Sequence, residues 1–311
     1  MRRMRSLQLD VFTSEPFHGN QLAVFFDAEH VTPQEMQAIA REMNFSECVF
    51  VLPAAESSAF ARLRIFTPKL ELPFAGHPVI GATFALAAAG RISPDTATPM
   101  LLETGVGLLP IELLFADARL SFAWMGQPIP TFEPWSGDRA ELARSLGLTA
   151  SDLSAELPIE LGSAGVPFLY IPLASADGLD RARSGPAIAA ALHPADPKTG
   201  AYLFTPPSVS GASQVNARMF VQEFGITEDA ATGSAAGPCG VYLVRHQLAP
   251  LEDERAHITI TQGVQMGRPS RLHVTVEQSG DGVVGKVRVG GESVVVARGE
   301  FLLPDLPVTA G

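Results

Sequence analysis

GHPVIGATFALAAAG, residues 76–90, contains no Asp, Glu, Lys or Arg. A helix at a protein surface normally keeps charged residues on one face, whereas a helix that is apolar on every side is buried. Most residues of this segment are also small, so neighbouring elements can approach it closely. We therefore predict a helix here that is enclosed by the rest of the fold.

A second segment of the same kind, GSAAGPCGVYLV, occupies residues 233–244. RIF at 64–66 precedes the first segment and RMF at 218–220 precedes the second, while Glu71 and Glu228 each lie five residues before the first glycine. The similarity suggests an internal duplication, in which each half is a sheet around a central helix and both helix N-termini face one cleft. Chance similarity is the alternative, and the pattern alone does not decide between the two.

The remaining sequence predicts a mixture of strands and helices, which indicates an α+β fold. The clearest amphipathic helix covers residues 32–43, where Thr32 is a good N-cap, Pro33 suits the first helical position and Glu35 completes a capping box. Further helices are predicted at 138–147 and 150–156. Strands are predicted at 7–12, 22–26, 48–52, 61–67, 168–173, 216–221, 257–262, 271–277, 282–289 and 292–299, and QPIPTFEP at 127–134 indicates a crossing between two domains.

The composition excludes several classes of protein. The 311 residues are 46% hydrophobic and 18% charged, with a net charge of −11, which argues against both disorder and a nucleic-acid partner. No apolar run reaches the roughly 20 residues of a membrane-spanning helix, and the N-terminus lacks the features of a secretory signal. Two cysteines, Cys48 and Cys239, do not make a disulfide framework. We expect a soluble cytoplasmic protein with no membrane partner.

Both junctions between a loop and an apolar helix are candidate anion sites. A helix N-terminus has unpaired N–H groups and a partial positive charge, and a glycine there allows a ligand to come close. Gly76-His77 and Gly233-Ser234 could therefore bind a small carboxylate without a basic patch. The alternative is that these glycines only allow two buried helices to pack.

Three ionisable residues are candidates for the chemistry. Glu47 lies between the end of a helix and an apolar strand, where partial desolvation would raise its pKa and suit it to proton transfer. His77 could shuttle a proton or orient a substrate, and Asp229 could hold a histidine or a substrate amine. The structural alternatives are a solvated acid at a strand end for Glu47 and a loop or capping acid for Asp229.

Sequence motifs for metals and nucleotides are absent. The seven histidines include no pair at i, i+3 or i+4 spacing, and no acidic cluster completes a metal site. The patterns GxxxxGK[ST], GxGxxG and GxSxG are missing as well. We therefore expect neither a metal nor a cofactor.

Five stretches of sequence carry a family resemblance: DVFTSEPFHGNQLAV (10–24), MQAIAREMNFSECVFVLP (36–53), RIFTPKLELPFAGHPVIGAT (64–83), FGITEDAATGSAAGP (224–238) and MGRPS (266–270). They span nearly the whole chain, and the third and fourth are specific in combination. On these stretches the chain resembles the PhzF-like phenazine-biosynthesis isomerase family, within the diaminopimelate-epimerase-like fold.

The resemblance implies an α+β fold of two pseudo-symmetric halves, each a mostly antiparallel sheet wrapped around a central buried helix. The N-terminal half would cover residues 1–126 and be completed by a C-terminal strand at 296–311. Residues 127–139 would be a linker and residues 140–295 the C-terminal half. Members of the family are commonly homodimers, with the active site between the halves.

The resemblance also implies a reaction and its residues. The best-understood reaction of the family is the isomerisation of trans-2,3-dihydro-3-hydroxyanthranilate, in which a proton leaves one ring carbon and returns at another without a cofactor. By motif match, the catalytic residues would be Glu47, which transfers the proton, and its partners His77, Asp229 and Ser234. The residues that bind the small carboxylate substrate would be Gly76 and Gly233, with Asn20 near the site.

Departures from the family pattern leave the substrate open. Ala230 stands where the family usually has proline, Val221-Gln222 stands where an aromatic-Ala-Pro is usual, and His18 and Gln21 alter an F-x-G-N-P motif. One alternative is an amino-acid racemase or epimerase of the same fold, which would need a thiol directly before each helix-start glycine; those positions hold Ala75 and Thr232. The other alternative is a homologue that has lost catalysis and acts as a binding protein.

Overall fold

The part of the chain that the structure describes contains eighteen strands and six α-helices. The structure is a computed structural model, and it describes residues 1–185, 187–192, 199–207, 213–221 and 227–305. The helices are α1 Pro33–Met43, α2 Gly76–Ala88, α3 Arg139–Ser145, α4 Ala176–Arg181, α5 Ala187–Leu192 and α6 Gly233–Arg245. The fold is therefore mixed α+β, as predicted.

The strands join into one large, mostly antiparallel sheet system. Their bounds are β1 Arg2–Val11, β2 Asn20–Phe25, β3 Glu47–Leu52, β4 Ala61–Phe66, β5 Glu71–Leu72, β6 Met100–Thr104, β7 Gly107–Ala116, β8 Arg119–Gln127, β9 Thr131–Pro134, β10 Glu160–Ser163, β11 Pro167–Pro172, β12 Gly200–Thr205, β13 Gln214–Phe220, β14 Glu228–Asp229, β15 Arg255–Gln262, β16 Ser270–Gln278, β17 Val284–Gly291 and β18 Ser293–Leu303. Parallel pairs occur between β2 and β3, β4 and β6, β11 and β12, and β13 and β15.

The last strand of the chain pairs with the first. β18 runs antiparallel to β1 from Arg2 opposite Leu303 to Val11 opposite Ser293. Residues 306–311 of the predicted C-terminal strand lie outside the described residues. Within the predicted linker at 127–139, β9 forms an antiparallel pair with β10. β8 and β17 also pair, and this contact joins the strands that surround α2 to those that surround α6.

Helices α2 and α6 are the centres of the fold. Both contain 13 residues, and residues 76–86 of α2 and 233–244 of α6 are all buried. α2 packs against β1, β2, β3, β8 and β18, whereas α6 packs against β10, β15, β16 and β17. The prediction that both apolar segments are enclosed is confirmed, because each helix meets strands on several sides.

The predicted capping of α1 is confirmed. The Thr32 side chain accepts a hydrogen bond from the Glu35 backbone, and the Glu35 carboxylate accepts one from the Thr32 backbone. Met36, Ile39 and Ala40 form the buried face, which packs against β3 and β4. α1 therefore covers the side of β3 that points away from α2.

The predicted helix at 150–156 is wrong. A single 3-10 turn covers Ala150–Asp152, closed by reciprocal hydrogen bonds between Thr149 and Asp152. The next residues pair with the end of β11 instead, since the Ser154 N–H donates to the Pro172 carbonyl at 2.9 Å and the Ala174 N–H donates to the Asp152 carbonyl at 2.8 Å. Pairing to a strand end thus replaces further helical turns. No helix among the described residues is long and apolar enough to cross a membrane.

Candidate active site

Polar side chains converge where several elements begin or end. Asn20 opens β2 and Glu47 opens the parallel neighbour β3, while Asp229 closes β14. His77 and Ser234 are the second residues of α2 and α6. Hydrogen bonds and short contacts join Asn20, Glu47, His77 and Asp229 directly, and we call these four residues the polar cluster.

The N-termini of the two central helices are in direct contact. A Cβ atom added to Gly76 would lie 2.7 Å from both the Cα and the carbonyl carbon of Gly233 and 2.8 Å from the Ser234 nitrogen. A Cβ added to Gly233 would lie 3.1 Å from the Gly76 Cα. A side chain at position 76 would force the backbones apart, and one at position 233 would be tightly placed, so the two glycines allow this approach and bring the N–H groups of both helix starts together.

Asn20 is the hub of the polar cluster. Its Nδ2 donates to Asp229 Oδ1 at 2.7 Å and to the Ala231 carbonyl at 3.1 Å, and it lies 3.2 Å from His77 Nδ1. Its Oδ1 accepts a hydrogen bond from the Ser46 hydroxyl at 3.1 Å. Asn20 is 4% exposed, so these contacts are shielded from water and fix the relative positions of Asp229 and His77.

Asp229 is held from a second side by Thr232 and Gln262. The Thr232 hydroxyl donates to Asp229 Oδ2 at 2.8 Å. Gln262 Nε2 donates to the Asp229 carbonyl at 2.8 Å and to Thr232 Oγ1 at 3.0 Å. Gln262 is fully buried, so the carboxylate is fixed by a network rather than by one bond.

Burial raises the pKa of Glu47 to about 8, and the negative charge of Asp229 contributes in the same direction. Hydrogen bonding to Ser46 opposes the shift. Glu47 Oε2 lies 3.6 Å from His77 Nδ1 and has no hydrogen-bond partner among the described residues. This carboxyl oxygen is therefore close to its neighbours, buried and without a hydrogen bond.

The other two ionisable groups of the polar cluster are shifted by burial as well. Burial raises the pKa of Asp229 to about 6, against hydrogen bonds from Thr232 and Asn20 that favour its ionised form. Burial lowers the pKa of His77 to about 3, against a hydrogen bond with the Gln21 backbone. At neutral pH the cluster thus contains a neutral imidazole and two carboxyl groups of unequal acidity. Such separated pKa values are typical of acid–base sites.

Sequence reasoning missed Ser46, Gln262 and Gln127. Gln127 Nε2 donates to the Gly233 carbonyl at 2.8 Å, so the end of β8 is fixed to the start of α6. Ser46 and Gln262 support Asn20 and Asp229 as described above. No local pattern marks these residues, because each acts through a partner that is distant in the sequence. Ser46 adjoins Glu47, and this proximity was the one available signal.

Two positions that depart from the family pattern adjoin the polar cluster in the chain, since Ala230 follows Asp229 and Gln21 follows Asn20. Ala230 and Val221 are buried, and the His18 side chain is 39% exposed, with its Nδ1 3.2 Å from Glu15 Oε2. Gln222 lies outside the described residues. Among the residues that the structure describes, no group of three His, Cys, Asp or Glu side chains is placed to hold a metal ion.

Glu47→Gln is expected to stabilise the fold at alkaline pH. A carboxyl group whose pKa rises from 4.5 to about 8 on folding binds more protons in the folded state, so stability falls as the pH rises through this interval. The full shift corresponds to at most about 5 kcal/mol. Thermal unfolding at pH 5, 6.5, 8 and 9 should show a Tm difference in favour of the variant that widens with pH. The exposed Glu42→Gln is the control, and parallel curves for Glu47→Gln and the wild type would contradict this account.

Fold and site together define the class: a protein of mixed α+β fold with buried acid–base groups at two abutting helix N-termini. A solved structure of a probable proline racemase from Agrobacterium radiobacter K84, with bound carbonate, shares the fold with a TM-score of 0.64 at 13% identity, covering 99% of this chain and 94% of that one. The family profile described as phenazine biosynthesis-like protein (PhzC-PhzF) matches residues 9–299. The chain belongs to this family.

Relatives of this chain that are named for an activity are isomerases. The chain is 39% identical to the trans-2,3-dihydro-3-hydroxyanthranilate isomerase of Pseudomonas aeruginosa, over 96% of this chain and 99% of that protein. It is 37% identical to the isomerase of the same name from Pseudomonas fluorescens, over 95% and 98%. A PhzF-family structure from Bacillus anthracis has a TM-score of 0.85 at 28% identity, covering 97% of this chain and 100% of that one. The protein is an isomerase of this family.

Proposed function

We propose that the protein moves a proton between two carbon atoms of a small, cyclic, carboxylate-bearing substrate, as in the isomerisation of trans-2,3-dihydro-3-hydroxyanthranilate, and that it needs no cofactor. The observation that carries the proposal is the polar cluster itself. A buried carboxyl group with a raised pKa, a neutral imidazole and a second carboxyl group meet beside two helix N-termini. The substrate follows from the names of the relatives and from this chemistry.

Glu47 is the group that carries the proton. As a carboxylate it removes a proton from one carbon, and as the resulting acid it returns the proton to another, which shifts a double bond. Its raised pKa makes the ionised form a stronger base than an exposed carboxylate. Oε2 is buried and has no hydrogen-bond partner among the described residues, so it can accept a proton without losing an existing hydrogen bond.

His77 and Asp229 orient the substrate around Glu47. His77 is 2% exposed, and its Nε2 has no hydrogen-bond partner among the described residues, so the neutral ring is available to a polar group of the substrate. Asp229 is fixed by Asn20 and Thr232 and, once ionised, can accept a hydrogen bond from a substrate amine or hydroxyl. Ser234 offers its hydroxyl and backbone N–H at the start of α6.

The substrate carboxylate binds to the backbone N–H groups at Gly76-His77 and Gly233-Ser234. The direct contact of the two helix starts supports this assignment, because one anion can meet both. Each N-terminus contributes roughly 0.3–1 kcal/mol to binding of an anion, and up to about 2 kcal/mol when partly buried. Binding of this kind requires no Lys or Arg.

Turnover in D2O tests the proposed function. The purified protein, dialysed against EDTA, is incubated with trans-2,3-dihydro-3-hydroxyanthranilate, and products are followed by NMR and mass spectrometry. We expect an isomerised product, with deuterium at the carbon that receives the proton to the extent that the Glu47 carboxyl exchanges its proton with solvent before returning it. Binding without isomerisation would favour a non-catalytic binding protein, and neither binding nor turnover would reject this substrate and lead to a screen of other cyclic and amino-acid carboxylates.

The double variant Cys48→Ala, Cys239→Ala is expected to keep most of the activity. Both thiols are buried and burial raises the pKa of each, which makes them poor nucleophiles and poor bases. Cys48 packs with Met36 and Phe50 on the α1 side of β3, and Cys239 lies inside α6. Turnover of the variant and resistance of the wild type to alkylating reagents check this. Complete loss of activity in a folded double variant would favour a two-thiol racemase instead.

We also propose that the chain forms two pseudo-symmetric halves, with residues 1–126 and the C-terminal segment from 296 onward in one, residues 140–295 in the other and 127–139 between them. Two matching ion pairs support this division: Arg64 Nη2 lies 2.7 Å from Glu71 Oε2, and Arg218 Nε lies 2.8 Å from Glu228 Oε1. Each pair joins adjacent antiparallel strands, β4 with β5 and β13 with β14, just before a central helix.

The family resemblance further suggests a homodimer that works in the cytoplasm. The net charge of −11 favours a small-molecule partner over nucleic acid or a membrane surface.

A further inference from the structure

Arg268 binds the turn that precedes Asn20. It belongs to the MGRPS stretch at 266–270, between β15 and β16, and the chemistry proposed above does not use it. Its Nη2 donates to the His18 carbonyl at 2.7 Å and its Nε donates to the Gly19 carbonyl at 3.0 Å. Nη2 also forms an ion pair with Asp10. The planar guanidinium thus contacts two carbonyls and a carboxylate at once, which an ammonium group could not reproduce.

Asp10 completes the support of this turn. It is 1% exposed on β1, and its second oxygen, Oδ2, accepts a hydrogen bond from the Phe17 N–H at 2.6 Å. Phe17 has a left-handed backbone with φ 70° although it is bulky and 74% exposed. Since such a residue rarely adopts this conformation without support, the Asp10 hydrogen bond helps to hold Phe17, and Arg268 holds the next two residues.

Gly19 connects the supported turn to Asn20. It has φ 67°, and a Cβ at this position would lie 2.4 Å from the Val11 carbonyl oxygen. Its N–H donates to the Pro269 carbonyl at 3.0 Å, next to Arg268 in the chain. The Gly19 N–H and the carbonyls of His18 and Gly19 therefore all bond to the loop that carries Arg268, and Asn20 is the next residue in the chain.

The loop that carries Arg268 also packs against the residue after Asp229. The Arg268 N–H donates to the Gly263 carbonyl at 3.0 Å. A Cβ at Gly263 would lie 2.6 Å from the Ala230 carbonyl oxygen, so the loop and the Asp229 segment are in close contact. Arg268 thus spans the two segments whose side chains meet in the Asn20–Asp229 hydrogen bond.

We propose that Arg268, fixed by Asp10, is a positioning residue that holds the Asn20 amide against Asp229 and His77. The part of this proposal that concerns activity rests on the proposed function. The part that concerns the position of Asn20 rests on the structure alone. Without the Arg268 guanidinium the turn at 17–19 loses two hydrogen bonds and Asp10 loses its ion pair, so Asn20 is no longer held at a fixed distance from Asp229. Among the described residues, the charges of Glu47, Glu228 and Tyr202 interact with that of Asp229, and His77 contacts the same Asn20 amide. Arg218 is paired with Glu228.

Arg268→Gln is the decisive variant, with Arg268→Lys as the conservative one. Arg255→Gln is the matched control, because Arg255 lies on β15 and makes an exposed ion pair with Glu277 on β16 at 2.8 Å. The first readout is a carbon-13 NMR titration of aspartate carboxyl groups in ligand-free protein, with the Asp229 resonance identified by its loss in Asp229→Asn. Since the Asn20 hydrogen bond favours the ionised form, we expect the pKa of Asp229 to rise in Arg268→Gln and to stay at the wild-type position in Arg255→Gln.

The second readout is turnover of trans-2,3-dihydro-3-hydroxyanthranilate. We expect kcat to fall roughly 10- to 100-fold in Arg268→Gln, with a smaller change in KM, a displaced acid limb of the pH profile and partial recovery in Arg268→Lys. An Asp229 titration that coincides in Arg268→Gln and wild type would overturn the proposal, even where this substrate is not turned over. If Arg268→Gln does not fold, a wild-type titration and wild-type kcat in Arg268→Lys would overturn it equally.

Discussion

Glu47→Gln is expected to lower the rate of proton transfer by on the order of 100- to 10,000-fold, because a positioned acid–base group contributes about this much to catalysis. The substitution keeps the size and shape of the side chain and removes its ability to accept a proton. The rate of product formation, measured in D2O by NMR, reports the loss directly, and deuterium in the product reports exchange of the transferred proton with solvent. Substrate affinity, measured by calorimetry, should change little, because the anion-binding N–H groups belong to other residues.

The pH dependence of the wild type provides a second measurement for Glu47. The carboxylate is the form that accepts a proton, and burial raises its pKa to about 8. The ionised fraction therefore grows as the pH rises towards 8, and kcat/KM should increase over this range and then level off. Glu42→Gln, an exposed position on α1, should retain both the rate and the pH profile. Rates near the wild-type value in Glu47→Gln would remove Glu47 from the mechanism.

The two central helices could be predicted from sequence because their composition is unusual over a whole segment. Residues 76–90 contain no charged side chain, and no other arrangement than full enclosure suits such a helix. The capping box of α1 is equally local, with Thr32 and Glu35 three residues apart. Both signals depend on residues that are neighbours in the chain, so one sequence contains them completely.

The site could be predicted only in part, because one sequence does not show which distant residues meet. Glu47, His77 and Asp229 could be chosen as candidates from the chemistry of their side chains and from matching motifs. The contacts that make them a cluster join residues far apart in sequence, such as Asn20 with Asp229 and Arg268 with Asp10. Long-range pairing also ended the predicted helix at 150–156, where residues at 152 and 154 bond to β11 and the residues that follow it.

Gly76→Ala should have a second large effect, because it alters the contact between the two helix starts. The added Cβ would lie 2.7 Å from the backbone of Gly233, and a backbone cannot move aside as a side chain can. The helix starts must separate, and one anion can then no longer meet the N–H groups of both. Since each partly buried terminus contributes up to about 2 kcal/mol to anion binding, the loss of one terminus corresponds to a decrease of up to roughly 30-fold in affinity.

Calorimetry with the substrate, or with the carboxylate anthranilate as a probe, measures the loss in Gly76→Ala, and circular dichroism checks that the variant is folded. Gly233→Ala places its Cβ 3.1 Å from the Gly76 Cα, so its effect should be smaller and in the same direction. Gly285→Ala is the control, since no atom lies within 4 Å of its added Cβ. A crystal grown with sulfate or anthranilate should show the anion within hydrogen-bonding distance of both helix starts in the wild type. If folded Gly76→Ala binds as tightly as the wild type, the substrate carboxylate is held elsewhere, because no smaller displacement could relieve a contact between two backbones.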